Sequence, residues 1–300
     1  MSLPVTDLRS PGSETPEVLL QRLFRRISEV SSLPTVAIRI MEVANHHASD
    51  AEDLFQAVQF DAALAMRIMR TVNSSYYALA NKVADLKLAI TLLGFKEIRN
   101  LALTAYVAQL FKKGTGHGPY TREGLWNHLI GVGVIARLIA ETCRKVPPRE
   151  AYLAGLLHDL GLILIDQYLH KPFCEVLDGL AEDVPVCDVE SEILGFNHAE
   201  LGHYVAAQWH LPEHLTSAIC YHHVPEQYEG PHRDMVYVVA LANFFANAKG
   251  RTSLGVRNAQ IPPAEVFTRL GLHKPEVTRI WEQLDAALES ANIMAMVHAG

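Results

Sequence analysis

Three hundred residues, 49% of them hydrophobic, can bury a sizeable core in one large or two small domains. A formal net charge of −7 sets the chain's field against nucleic acid and anionic membrane as partners. Four scattered cysteines (Cys143, Cys174, Cys187 and Cys220) form no Cys-x-x-Cys pair, which argues against a zinc-thiolate site and for ordinary thiols in a reducing, cytoplasmic compartment.

Residues 1–16 are rich in Pro, Ser, Gly and Glu and read as a mobile tail. Met1–Ser10 lacks the charged and apolar regions of a secretion signal. From there on, helix signals follow one another with almost no strand alternation, so the expected fold is all-α. Pro34 suits a first helical turn before Val36, Ile40 and Val43. Ser49-Asp-Ala-Glu52 matches a capping box ahead of Leu54, Phe55 and Val58. Leu64, Ile68 and Val72 repeat at helical spacing, and Asn73-Ser-Ser-Tyr-Tyr77 reads as a tight turn with Asn73 bonding backbone. Asp85 can cap Leu86–Leu93, Gly94 ends that helix, and a longer one runs to about Phe111. Lys112-Lys-Gly-Thr-Gly-His-Gly-Pro119 is the clearest linker. It divides an N-terminal helical lobe (17–115) from a histidine-bearing helical lobe (116–250). Glu182–Asp188 marks a second break. An extension (251–300) closes with an amphipathic helix from about Pro275 to Met294, carrying Val277, Ile280, Trp281, Leu284 and Leu288 on one side. The most apolar run, Leu153–Leu169, is interrupted by His158, Asp159 and Asp166, so no membrane span is expected.

That interrupted run holds the most informative residues. In Ala154-Gly-Leu-Leu-His-Asp-Leu-Gly161 an imidazole and a carboxylate adjoin in an otherwise buried helical setting. Both need partners there, and either a hydrogen-bonded core couple or a shared metal ion would supply them. Several other histidines sit in similar surroundings. His128 opens Leu129–Ala136, His198 heads Asn197-His-Ala-Glu-Leu-Gly202, and His222-His223 closes Leu215–Tyr221. Imidazole suits iron, manganese, zinc and nickel, and a mixed His/carboxylate set with a shared Asp is what a two-metal hydrolytic site requires. Each histidine alone reads equally as a satisfied core residue, or, for His222-His223, as a helix C-terminal pair. Glu200 reads either as a partner that orients a nearby histidine or as an ordinary exposed glutamate.

His128, His158-Asp159, His198 and His222-His223 resemble the ligand series of the HD superfamily of metal-dependent phosphohydrolases. Leu33-Pro34, Thr71–Tyr77, Ala89–Arg99 and Trp209-His-Leu-Pro212 are similar to landmarks of its HDOD branch (HD-related output domain). The resemblance covers about residues 20 to 250. It implies an HD-like helical domain with an N-terminal helical lobe and one or two divalent transition metals held by His128, His158, Asp159, His198, His222 and His223. It also implies a bacterial signalling protein acting through contacts with protein partners. Three departures bear on turnover. Active members end the ligand series with an aspartate where this chain has Asn243, a neutral and poorer metal ligand. The cyclic-dinucleotide phosphodiesterases carry a lysine where Leu162 stands, and a Gly-Tyr-Pro segment where this chain reads Val224–Pro231. The expectation is therefore a regulatory module with a degenerate HD site. The alternative is a metal-dependent phosphohydrolase acting on a nucleotide or cyclic nucleotide, with Asp159 as its key residue. Neither the partner nor the oligomeric state follows from the sequence.

Overall fold

The computed structural model describes residues 21–27, 34–46, 48–73, 79, 81–111, 116–181, 184–257 and 260–299. Residues 1–16, Ser74–Tyr77 of the expected turn, residues 112–115 of the expected linker, and Glu182 and Asp183 lie outside them. Among the described residues the fold is all-α, with an isolated bridge between His117 and Tyr120 and no strand. The chain divides into two compact units, one of residues 33–112 with 294–300, the other of residues 1–32 with 113–293. A helical segment at 21–27 (α1) groups with the second unit.

In the first unit, α2 (Thr35–Asn45) packs on α3 (Ala51–Val58) and α6 (Phe95–Gln109), and α4 (Ala62–Val72) packs on α5 (Leu86–Leu93) and α6. Ile40, Leu54, Ile68, Ile90 and Ile98 are buried in it. The capping box of α3 falls one residue later than expected. The Asp50 carboxylate accepts from the Glu52 and Asp53 amides while Asp53 accepts from Asp50 N–H, so a stronger acceptor displaces Ser49 from the role. Asp85 caps α5, and Gly94 (φ 80°) ends it in a conformation that favours glycine. Asn73 clasps the loop after α4, donating from Nδ2 to Val83 O and accepting from Val83 N–H at Oδ1, each at 2.8 Å.

The second unit carries α7 (Arg122–Cys143), α8 (Pro148–Leu157), α9 (Leu160–Tyr168), α10 (His170–Gly179), α11 (Val186–Leu194), α12 (His198–Gln208), α13 (Glu213–Tyr221), a 3-10 turn (Pro225–Gln227), α14 (Arg233–Ala248), α15 (Ala264–Leu270) and, as far as residue 293, α16 (Lys274–Ala299). Two crossings between helices depend on glycine. At the α7/α8 crossing, a Cβ on Gly155 would stand 2.8 Å from Val132 O and 2.9 Å from Gly133 Cα. At the α9/α12 crossing, a Cβ on Gly161 would lie 1.9 Å from His198 O, and one on Gly202 would lie 3.2 Å from Gly161 N. Backbones come this close only without side chains. α16 buries Ile280, Leu284 and Leu288 as its stripe predicts. Trp281 departs from the stripe: it is 40% exposed, because its ring lies 4.5 Å beneath the Lys249 ammonium, an arrangement that suits the surface better than the core. No described helix is long and apolar enough to cross a membrane.

Candidate metal centre

His158 and Asp159 do not lie within one continuous helix. They form the junction between α8 and α9, with His158 closing the first and Asp159, at φ −101° and ψ 22°, preceding the second. The break turns the Asp159 carboxylate among imidazoles from three other segments. His128 comes from the first half of α7, His198 from the first turn of α12, and His222 and His223 from the end of α13. The Gly133/Gly155 contact draws the His128 helix to that of His158. The Gly161/Gly202 contact draws His198 to Asp159.

One carboxylate oxygen serves each half of the cluster. Asp159 Oδ2 is 3.3 Å from His158 Nε2 and 3.5 Å from His128 Nε2. Asp159 Oδ1 is 3.2 Å from both His198 Nε2 and His222 Nε2. His223 Nε2 is 3.2 Å from His198 Nε2, and His128 Nε2 is 3.3 Å from His158 Nε2. Within each of the two sets, His128/His158/Asp159 and Asp159/His198/His222/His223, the candidate ligand atoms lie within 4.8 Å of one another. His223 is half-buried and the other five are buried.

The far sides of the rings fix the tautomers. His128 Nδ1 lies 2.7 Å from Arg251 O, His158 Nδ1 2.7 Å from Gly155 O, and His222 Nδ1 2.9 Å from Ile219 O. A carbonyl oxygen only accepts, so each Nδ1 carries the proton and each Nε2 turns a lone pair into the cluster. Burial pushes His128 and His222 down to about 4, which keeps them neutral. It also holds His223 well below the ordinary range. Burial alone would raise the Asp159 carboxyl, but the histidines, His158 foremost, hold it well below the usual carboxylate range. What results is a set of inward lone pairs about 3.2–3.5 Å apart around a carboxylate, with Asp159 Oδ1 and His222 Nε2 buried and making no hydrogen bond. Each such orphan costs about 1–3 kcal/mol in a metal-free protein. A divalent cation in each half would satisfy them, and this donor set fits transition metals.

Glu190 completes the arrangement, and the sequence reading missed it. Fully buried on α11, it accepts at Oε2 from His198 N–H at 2.9 Å and from His198 Nδ1–H at 2.6 Å. Burial works to lower the pKa of His198, but Glu190 outweighs it and holds His198 well above the ordinary range. Such carboxylate–histidine pairs orient a ligand ring and raise its basicity. The available signal was the spacing of Val186, Glu190 and Leu194, which puts an acid on the apolar stripe of an amphipathic helix. Glu200 is exposed, as the second of its two readings has it, and orients no histidine. It closes the capping box of α12 with Asn197.

Asn243 lines a cavity of about 370 Å³ together with His222 and His223. Its Oδ1 accepts from Asn247 Nδ2 at 2.8 Å, so the amide oxygen is already engaged. Leu162 is 1% exposed and packed in the core. Val224, Pro225 and Glu226 of the segment after the double histidine line the same cavity.

A profile of the HDOD domain matches residues 30–225. The crystal structure of an HDOD domain protein of unknown function from Geobacter sulfurreducens shares 28% identity at a TM-score of 0.67, covering 93% of this chain and 97% of that one. A candidate signal transduction protein from Marinobacter aquaeolei VT8 superposes at 0.77 with 23% identity, over 94% of this chain and 65% of its own. A candidate phosphohydrolase from Shewanella amazonensis SB2B superposes at 0.65 with 22% identity, over 92% and 96%. An uncharacterized protein of Treponema pallidum (strain Nichols) is 24% identical over 224 residues, which span 73% of this chain and 42% of that protein.

Proposed function

The chain belongs to the HDOD family, and from that premise we propose that it is a bacterial regulatory module whose histidine centre holds one or two divalent transition metals while the protein acts mainly through contacts with signalling partners. The observation that carries the reading is a split within one site. The histidine half is retained, with four imidazoles and a half-buried fifth turning Nε2 toward Asp159 and Glu190 supporting His198. The substrate-handling half is not. No lysine or arginine stands among the described residues lining the adjoining cavity, Asn243 spends its oxygen on Asn247, and Leu162 is sealed in the core. Phosphoryl transfer needs positive groups placed where negative charge develops, and here only bound metals would supply any.

The second reading, a metal-dependent phosphohydrolase of a nucleotide or cyclic nucleotide, draws on Asp159. Its two oxygens address different halves of the cluster, the geometry of a bridging carboxylate. A bound divalent pair would polarise a phosphoester and lower the pKa of a nucleophilic water. Metal content of the purified protein, followed by phosphate release from a nucleotide panel, separates the two readings. Metal with no release is expected. Release that disappears in Asp159→Ala would establish the hydrolase.

A further inference from the structure

The cavity beside His222 and His223 carries recognition chemistry of its own. Asn243 and Asn247 stand four residues apart on α14, both nearly buried, and both line it. Asn247 Nδ2 donates to Asn243 O at 3.0 Å and to Asn243 Oδ1 at 2.8 Å. Because a backbone carbonyl can only accept, the first bond fixes which end of the Asn247 amide is nitrogen. The second then fixes Asn243. With those groups committed to each other, Asn243 Nδ2 remains as a donor and Asn247 Oδ1 as an acceptor, on two hydrogen-bonded side chains and without a protein partner among the described residues. Phe244 and Pro225 line the cavity too and offer it apolar surface. Its charged groups are Asp188 and Glu226, with no cation among the described lining residues. Together with Asp159 and Glu190, these carboxylates offset the four positive charges of two divalent ions, so even a loaded centre exerts little net pull on a phosphate.

We propose that this cavity binds an uncharged nucleoside, read by the Asn243/Asn247 pair through the adjacent N–H and C=O of a lactam-bearing base. The inference rests on the regulatory reading only in treating the cavity as a place where a ligand is held and not cleaved. At about 370 Å³ the cavity lies within the usual range for small-molecule sites, about 300–1,000 Å³. A lactam offers one acceptor to Asn243 Nδ2 and one donor to Asn247 Oδ1. Methylation of the ring nitrogen removes that donor and leaves Asn247 Oδ1 facing a methyl group, which is the larger penalty.

The test is calorimetric titration of the full chain, metal-loaded and after chelation, with guanosine, inosine and uridine, their ring-N-methylated forms and their 5′-monophosphates. At least one nucleoside should bind. Its methylated form should bind at least about tenfold more weakly, its monophosphate no more tightly, and Asn247→Ala should lose about tenfold in affinity. Asn243→Asp keeps the side-chain shape and an acceptor for Asn247 Nδ2 while removing the donor to the lactam carbonyl, and it decides the question should the alanine variant not fold. The proposal falls if none of the three nucleosides binds at up to about 1 mM. It falls equally if methylation has no effect, if the monophosphate is preferred, or if the folded variants bind as the wild type does. Phosphate release in the same monophosphate solutions bears on the regulatory reading alone, so the two can fail separately.

Discussion

Among the described residues Asp159 is the only carboxylate that faces both halves of the histidine cluster, so its loss should be felt at both. Asp159→Ala should lower metal content more than His198→Ala, which removes one imidazole from one half. Elemental analysis of both variants checks this, and unchanged metal in the Asp159 variant would refute the centre. Protons give an independent measure. In the metal-free protein Glu190 shifts His198 toward its protonated form, whereas burial shifts His128 and His222 toward the neutral form. A metal must therefore displace more of a proton from His198 than from either of the other two, so affinity should rise with pH. Titration in buffers of different ionisation enthalpy should report about one more proton released by the wild type than by His198→Ala. Equal release from the two would show that His198 is not charged beforehand. Glu190→Gln keeps a hydrogen-bonding group beside His198 but removes the charge, and it should weaken metal binding about 10- to 100-fold. The ligand-type residues were legible in the sequence because each interrupts an apolar helical run. Glu190 was harder to see, since one acid in the polar text Asp188-Val-Glu-Ser-Glu192 differs from its neighbours only by its register.

At the scale of helices, the centre depends on how closely α9 and α12 approach. Gly161→Ala would put a Cβ 1.9 Å from His198 O, backbone that cannot swing aside. Forcing the two helices apart should cost about 1–3 kcal/mol and should release metal as well, because the same displacement draws His198 from Asp159. Gly131→Ala on α7 is the control. The nearest atom to its Cβ is Leu288 Cδ2 at 3.1 Å, the end of a flexible side chain, and alanine in a helix interior recovers about 0.5–1 kcal/mol. Thermal unfolding and metal content of the two variants should therefore diverge, and similar losses in both would deny the crossing its role. Most helices and their ends could be read from the sequence because Asp61, Asp85 and Asn197 are side chains with a local reason to cap. The break at His158-Asp159 could not. Leu156–Ile165 has no proline or cap at the junction, and the turn there is imposed by the packing of α9 on α12. The same holds for the shift of a capping box from Ser49 to Asp50, where two candidate caps stand side by side and geometry chooses between them.

At the scale of the molecule, the question is whether a histidine array of this kind amounts to an enzyme. Hydrolysis of cyclic dinucleotides should be undetectable, or at least about a hundredfold below that of a competent relative, equivalent to about 2.7 kcal/mol in the barrier. The reason is distributed. Positive charge is absent from the cavity wall among the described residues, Asn243 stands where the resemblance implies an acid, and Val224–Glu226 presents a proline turn where it implies Gly-Tyr-Pro. The structure also sharpens what repair can achieve. Leu162 is 1% exposed, so Leu162→Lys buries an ammonium in the core and should lower stability without delivering charge to the site. Asn243→Asp is the gentler change, since an aspartate can still accept from Asn247 while adding the missing anion. Metal occupancy should rise in that variant while turnover stays absent, because an added ligand does nothing for a wall without cations. Assays of wild type, Leu162→Lys, Asn243→Asp and the double variant, with manganese, iron and zinc in turn, test each step. Turnover restored by Asn243→Asp alone would mean that the metal pair, and not the cavity, sets the limit. Robust turnover by the unmodified chain, lost in Asp159→Ala, would overturn the regulatory reading altogether.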